Sequence, residues 1–162
     1  MNKKIYLIGL VTLLLDQISK ILIDIFLKPE EIVTVINGFF YLTKVSNTGA
    51  AFSILEGKTL FLSLISIFAL SMMYVLSKDF DKNKRTNLAF GILLGCILGN
   101  LIDRLFLGHV RDFLKFNIFG YNYPIFNIAD SFIVVGVILL VVSLLKGDDK
   151  SGSVSKRISK SD

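Results

Sequence analysis

The sequence predicts an all-α integral membrane protein with four transmembrane helices, a small extracytoplasmic β-hairpin or sheet, and an interfacial amphipathic segment. The main observation is that apolar residues, 53% of the 162 residues, come in long blocks. A bilayer core of about 30 Å needs roughly 20 consecutive, mostly apolar residues in a helix, because each residue rises about 1.5 Å. Four stretches meet that length, and they predict spans at 5–27, 60–76, 88–107 and 125–145.

The four spans belong to one membrane-embedded domain, residues 1–146. Lys3 and Lys4 before an apolar run resemble the start of a secretory signal. No small-residue cleavage site follows, and the apolar pattern resumes through Leu27, so we expect this segment to remain as a span. The tail 147–162 is rich in Ser, Lys and Asp and is predicted to be a disordered cytoplasmic segment.

The distribution of basic residues predicts the orientation. The N-terminus, the 78–85 loop and the tail hold eleven lysines and arginines, and the opposite segments hold six. Because basic residues concentrate in cytoplasmic loops, both termini are expected in the cytoplasm. The net charge of +5 implies no nucleic-acid partner, since basic cytoplasmic flanks face anionic lipid.

Two segments on the outer side carry a structured pattern. Residues 32–36 and 39–45 are β-branched and aromatic, and Asn37-Gly38 between them predicts a hairpin with a two-residue turn in which both central residues have positive φ. So apolar a hairpin is expected on the membrane surface or against the helices. Segment 108–124 mixes charged and aromatic side chains, a mixture typical of the headgroup region.

Charged residues lie inside the predicted spans, where each costs at least about 2.5–3.5 kcal/mol on insertion scales and is therefore a functional candidate. Asp16 and Lys20 lie about 16 and 22 Å from the cytoplasmic start of the first span. Asn100 and Asp103 lie about 18 and 22 Å along the third span, and Asp130 lies about 8 Å below the outer start of the fourth. All of them fall in the outer half of the membrane.

Helical spacing groups these residues by face, since positions three or four apart are neighbours. Asp16 and Lys20 form such a pair, with two interpretations open: a buried ion pair that orients the first helix, or direct contact with a ligand. Asp24, near the outer end of this span, is expected at the interface.

The third and fourth spans show the same pattern. Asn100 shares a face with Asp103 and Arg104, and Asn127 shares one with Asp130. An arginine in an apolar helix needs an acceptor, which Asp103, a lipid or a peptide carbonyl could supply.

The reactive side chains favour carboxylate chemistry. His109 is the only histidine, so the sequence has no His-Glu-x-x-His zinc motif and no base suited to a serine or cysteine triad. Cys96 has no disulfide partner and is predicted to be a packing residue. Two aspartates in a low-dielectric site do not both ionise easily, so one can take a proton from water while the other donates to a scissile carbonyl. This predicts peptide hydrolysis by Asp130 with a second aspartate that spacing alone leaves open, Asp103 or Asp112.

Two other classes of protein use intramembrane charges. A proton-coupled transporter is one, although 162 residues leave no second half for an inverted repeat. A membrane adaptor is the other, with Asp16 and Lys20 fixing helix assembly.

Five short blocks resemble a known family and appear in its order: DQISK at 16–20, NTGAAF at 47–52, GNLIDR at 99–104, VRDF at 110–113 and FNIAD at 126–130. The family is the bacterial lipoprotein signal peptidases, or signal peptidase II. The resemblance implies a plasma-membrane aspartic endopeptidase that removes signal peptides from prolipoproteins, cutting before a diacylglyceryl-modified cysteine near the outer surface. It implies Asp112 and Asp130 as the catalytic dyad.

The resemblance also implies which residues surround the dyad. Asp103, with Arg104, would support the site. The other residues that would hold the dyad or the substrate are Asn47, Gly49, Ala50, Asn100, Asn127, Asp16 and Lys20. No metal or organic cofactor is implied, and a monomer working with membrane lipid and lipidated substrate is expected. One departure is Cys96-Ile97, where the family usually has small residues, so close helix packing is expected to differ at Ile97.

Overall fold

The computed structural model describes residues 1–50, 54–81 and 83–147. These residues form four long helices: α1 Lys3–Phe26, α2 Thr59–Leu76, α3 Lys84–Leu107 and α4 Ile128–Leu145. Each helix is long and apolar enough to cross a membrane. The four long apolar helices expected from the sequence are therefore present. The tail predicted to be disordered lies, after Gly147, outside the described residues.

Asparagine side chains cap three of these helices, accepting hydrogen bonds from N–H groups that a first helical turn leaves unpaired. Asn127 caps α4, so the helix begins at Ile128 and not at residue 125, where the apolar pattern placed it. Phe126 is extended instead and pairs with Leu114. Asp130 therefore lies in the first turn of α4, nearer the helix end than its expected depth of about 8 Å.

Helix α3 is central and packs against each of the other three helices. Glycines allow its close approach to α1. A Cβ atom added to Gly95 would overlap Thr12 Oγ1, and one added to Gly99 would overlap Asp16 Oδ2. Small residues at this interface therefore bring Asp16 directly against α3, as is common where membrane helices pack closely.

Helices α2 and α4 present most of their surface outward. Only 17% of the most apolar stretch of each is buried, against 56% in α3. Their exposed side chains are large and apolar, with Phe68 and Ile138 as examples. Such surfaces suit contact with lipid acyl chains, so the helices pack as a bundle that is apolar on its outside as well as in its core.

A four-stranded antiparallel sheet lies at the end of the bundle where α1 and α3 finish. Its strands are β1 Ile32–Ile36, β2 Phe40–Asn47, β3 Val110–Ile118 and β4 Tyr121–Asn122, in the order β1-β2-β3-β4. The predicted hairpin is confirmed as β1 and β2. Segment 108–124, for which the sequence predicted only an interfacial segment, supplies β3 and β4 and pairs with the hairpin.

The turn of the first hairpin differs from the prediction. Ile36 pairs with Phe40, so three residues connect the strands, and the N–H of Phe39 donates to the Ile36 carbonyl at 3.0 Å. Of these three residues only Gly38 has a positive φ, 75°. The prediction of two positive-φ residues was wrong because the register shifts between Thr34 and Ile36, which lengthens the connection.

Candidate active site

Asp112 lies on β3, two residues into the strand that leaves the end of α3. The side chain is buried, with 2% of Asp112 exposed. Asn127 Nδ2 donates to its Oδ1, and Asn47 Nδ2 donates to its Oδ2, both at 2.7 Å. Burial first, and then the neighbouring charge of Asp130, raise the pKa of Asp112 to about 7. Asp112 therefore binds a proton far more readily than an ordinary carboxylate.

Asp130 lies in the first turn of α4 and belongs to a capping box. Its N–H donates to Asn127 Oδ1 at 3.0 Å, and its own Oδ2 accepts the N–H of Asn127 at 3.2 Å. Its second oxygen, Oδ1, accepts from Asn100 Nδ2 at 2.9 Å. Both oxygens of Asp130 are thus held by amide donors, one from the backbone and one from α3.

The two aspartates line the same cavity, which has a volume of about 640 Å³. Five polar lining residues are ones that the sequence singled out, namely Asn47, Asn100, Arg104, Asp112 and Asp130, and Ala50 lines the cavity beside them. The rest of the wall is largely apolar, with Val110, Ile133 and Val134 among its residues. A few convergent polar groups in an apolar cavity are the usual form of a binding site for a largely apolar ligand.

Lys20 is fully buried behind this cavity. Its Nζ donates to Asp16 Oδ2 and to Asn100 Oδ1, each at 2.8 Å, and lies 3.3 Å from Asp103 Oδ2. The ion pair predicted between Asp16 and Lys20 is present. Neither residue lines the cavity, so the structure favours the ion-pair interpretation over direct ligand contact.

Of the acceptors left open for Arg104, Asp103 is not the one observed. Asp103 accepts instead from Arg111, whose Nη2 lies 2.7 Å from Oδ1. Arg104 Nη2 contacts the Gly49 carbonyl at 3.4 Å, so the alternative of a peptide carbonyl acceptor is the one observed. Consecutive residues in a helix point in different directions, which separates Asp103 from its neighbour in sequence.

Arg111 is the main supporting residue that the sequence argument missed. Its side chain also donates to Asp24 Oδ2 at 3.1 Å and to Gln17 Oε1 at 2.8 Å. Asp24, expected only at the interface, also pairs with Lys44 at 2.9 Å. A signal was available, because Asp24 lies four residues after Lys20 and on the same helix face.

The segment after β2 also contributes to the site. Asn47 Oδ1 accepts the N–H of Gly49 at 2.8 Å, which closes a tight turn, and the N–H of Ala50 donates to Ile54 at 2.7 Å. Ala51 and Phe52, which complete the NTGAAF block, lie outside the described residues, as does Ser53. Asn47 and Ala50 line the cavity, and Gly49 contacts Arg104.

Cys96 and Ile97, which precede Gly99 on α3, have different surroundings. Cys96 is fully buried and packs with Ile92 and Ala129 between α3 and α4, as a packing residue would. Ile97 lines the cavity. Ile97 also packs against the core cluster that contains Phe90 and Leu93, and its effect on close helix packing stays a prediction.

Comparisons with known proteins identify the family of this chain. Residues 8–146 match the family described as signal peptidase (SPase) II. The lipoprotein signal peptidase of Staphylococcus aureus strain Newman is 40% identical over 98% of this chain and 99% of its own length. The same identity and coverage hold for strain N315. A solved structure described as a bacterial membrane enzyme, obtained by the in meso method at 2.3 Å resolution, is 42% identical, covers 86% of both chains and has a TM-score of 0.79.

The fold, the polar cluster beneath the sheet and these similarities define a multi-pass membrane peptidase. The chain belongs to the signal peptidase II family. This assignment replaces the alternatives of a transporter and an adaptor.

Proposed function

We propose that the protein is an aspartic endopeptidase that removes signal peptides from bacterial prolipoproteins, cleaving on the N-terminal side of a diacylglyceryl-modified cysteine. The observation that carries the proposal is the meeting of Asp112 and Asp130 in one apolar cavity, each held by asparagine amides. Relatives named lipoprotein signal peptidase share 40% of the residues over nearly the whole chain, which supports the same substrate class here.

The dyad would work by sharing one proton. The ionised carboxylate takes a proton from water, and the water oxygen forms a bond to the scissile carbonyl carbon. The protonated carboxyl donates its proton to the carbonyl oxygen. When the tetrahedral intermediate collapses, the bond from carbon to nitrogen breaks and the nitrogen leaves with a proton from one carboxyl of the dyad. The other carboxylate takes a proton from a hydroxyl of the intermediate as the carbonyl re-forms, which restores the single shared proton. The pKa of Asp112, raised to about 7, supports a pair that holds one proton at neutral pH.

The surroundings suit a lipidated substrate. A cysteine that carries diacylglycerol keeps its acyl chains in the bilayer, so its scissile bond lies near the membrane surface. The dyad lies close to the first turn of α4, at the sheet end of the helices, and apolar side chains line the cavity. We propose that the sheet faces the outer side, that both termini are cytoplasmic, and that a monomer in the plasma membrane needs neither metal nor organic cofactor.

The direct test uses purified protein in lipid vesicles with a diacylglyceryl-modified precursor peptide and its unmodified form. We expect cleavage of the modified peptide only, and loss of cleavage in Asp112→Asn and in Asp130→Asn. Asp79→Asn is the matched control, because it makes the same chemical change at a residue that does not line the cavity. Asp79 is exposed on the loop after α2. Retained cleavage in either dyad variant would contradict the assignment.

A further inference from the structure

We propose that Lys20 is a positioning residue that fixes the side-chain amide of Asn100 and thereby keeps Asp130 as the ionised member of the dyad. The inference rests on the proposed dyad of Asp112 and Asp130. It goes beyond that proposal by assigning the general base and by naming the buried group that determines the assignment.

Three asparagines contact the dyad, and the orientation of each amide follows from its partners. In Asn127 and Asn47 the amide oxygen accepts a backbone N–H, from Asp130 at 3.0 Å and from Gly49 at 2.8 Å. A backbone N–H only donates, so the oxygen must face it. The NH₂ groups of both asparagines must then face Asp112, which they reach at 2.7 Å.

In Asn100 the orienting donor is a lysine. Lys20 Nζ donates to Asn100 Oδ1 at 2.8 Å, and an ammonium group has no acceptor. Asn127 Nδ2 adds a second donor to the same oxygen at 3.2 Å. The NH₂ group of Asn100 is thereby turned to Asp130 Oδ1 at 2.9 Å. A flipped amide would set its oxygen against the carboxylate and its NH₂ against the ammonium, and both contacts would be repulsive.

Each aspartate accepts two N–H donors, so the helix N-terminus is what distinguishes Asp130 from Asp112. Asp130 receives the Asn100 amide on one oxygen and the N–H of Asn127 on the other, and it lies in the first turn of α4, where the helix N-terminus favours negative charge. Asp112 lies on a strand, without a helix N-terminus of its own. Asp130 is therefore the base that takes the proton from water, and Asp112 donates its proton to the carbonyl oxygen. Asp130 then passes its proton to the leaving nitrogen, and Asp112 takes back a proton from a hydroxyl of the collapsing intermediate.

Lys20 acts through Asn100 and not on the substrate, since it is fully buried and does not line the cavity. Its own charge is balanced by the two carboxylates behind it, Asp16 and Asp103. Other groups also surround the base and contribute to its charge state. The titratable or charged groups near Asp130 are Asp112 on β3, Arg104 and Cys96 on α3, and Asp16 and Lys20 on α1.

A double-mutant cycle tests the proposal in the full-length protein, with a diacylglyceryl-modified precursor as substrate. The cycle compares Lys20→Met, Asn100→Ala and the double variant by the pH dependence of kcat and KM. Thr12→Val is the matched control, because Thr12 is buried on the same helix and its hydroxyl donates only to backbone carbonyls of α1.

On the acid side of the pH profile, its acid limb, kcat falls as the base becomes protonated. We expect Lys20→Met to move this fall to a pH about one unit higher, so that about tenfold less of the base is ionised at a given acidic pH. KM should stay within about twofold, because the substrate does not contact Lys20. In the Asn100→Ala background, Lys20→Met should move the limb no further. Lys20→Arg, which still donates, should keep the wild-type limb even where kcat falls, and Thr12→Val should keep it as well.

An acid limb unchanged in Lys20→Met, or an equal further shift in the Asn100→Ala background, would overturn the role of Lys20. If Lys20→Met does not fold, the charge-balanced double variant Asp16→Asn/Lys20→Met carries the same prediction. The two proposals fail differently. Cleavage retained in Asp130→Asn would refute the dyad itself, whereas a wild-type limb in the lysine variants refutes only the positioning role.

Discussion

Arg111 Nη2 lies 2.7 Å from Asp103 Oδ1, and the backbone N–H of Arg111 donates to the other oxygen of Asp103 at 3.1 Å. Side chain and backbone of one strand residue are thus both held by a single carboxylate on α3. Because Asp112 is the next residue, this double contact fixes the strand that carries half of the dyad. The polar cluster behind the cavity therefore positions the site even though little of it touches the cavity.

Replacing Arg111 by Met should lower both stability and turnover. Asp103 is fully buried and would keep only its contacts with Lys20 and Gln17. Breaking a buried ion pair from one side costs about 3–5 kcal/mol. We expect a loss of unfolding free energy in this range, measured in detergent by denaturant titration, together with at least a tenfold fall in kcat.

Lys44→Met provides the control for this prediction. Lys44 and Asp24 form a more exposed ion pair in the same network, with side chains 27% and 33% exposed. Solvent screens such a pair, so its loss should cost no more than about 1 kcal/mol. Equal losses of unfolding free energy in Arg111→Met and Lys44→Met would show that Arg111 contributes no more to stability than an exposed ion pair does.

The α3 glycines that face α1 are Gly91, Gly95 and Gly99, and an added methyl group at Gly95 should destabilise the protein. The new Cβ would overlap Thr12 Oγ1 and the backbone carbonyl of Gly9, and backbone cannot move aside cheaply. Overpacking of this kind costs about 1–3 kcal/mol. We expect Gly95→Ala to lower the thermal midpoint and to reduce kcat by displacing Asp16.

The matched comparison is Gly9→Ala, on the facing helix. Its nearest contact, at 2.9 Å, is the flexible end of Leu94, which can rotate away. This variant should lose clearly less stability than Gly95→Ala. A larger loss in Gly9→Ala would contradict the assignment of the tight contact to Gly95.

The helices were predictable because each span is a long apolar block, and the Asp16–Lys20 pair was predictable because helical spacing is fixed. Asp112 was not identifiable from spacing. It reaches Asp130 only through the pairing of β3 with β2 and the return of the chain into α4, and no periodicity in the sequence encodes contacts of that kind. The family resemblance supplied Asp112, and Arg111 was missed because its partners come from α1 and α3.

The raised pKa of Asp112 should make the stability of the protein depend on pH. Its pKa of about 7 lies above the value for an unfolded chain, so the folded protein binds more protons between about pH 4 and 7. The contribution of this carboxyl is therefore fully favourable at low pH and is lost as the pH rises through 7. Between low pH and pH 8 the wild type loses at most about 4 kcal/mol of unfolding free energy through this carboxyl, and Asp112→Asn does not lose it.

We therefore expect the Tm of Asp112→Asn, relative to wild type, to be higher at pH 8 than at pH 5, as measured by thermal unfolding in detergent. Asp79→Asn should show the same Tm difference at both pH values, because Asp79 is exposed. A Tm difference for Asp112→Asn that does not change with pH would show that Asp112 is not held protonated by its surroundings.

Ile97 should determine which residues next to the scissile bond are accepted. It lines the cavity from α3 together with Ile133 of α4. A pocket change of a few methylene groups shifts specificity by about 1–3 kcal/mol, or roughly 10–200-fold. We expect Ile97→Phe to lower kcat/KM at least tenfold for precursors with bulky residues before the cysteine, and less for those with glycine or alanine. Leu105→Phe, on the exposed face of the same helix, should leave this preference unchanged, and an equal change in the two variants would remove Ile97 from the specificity pocket.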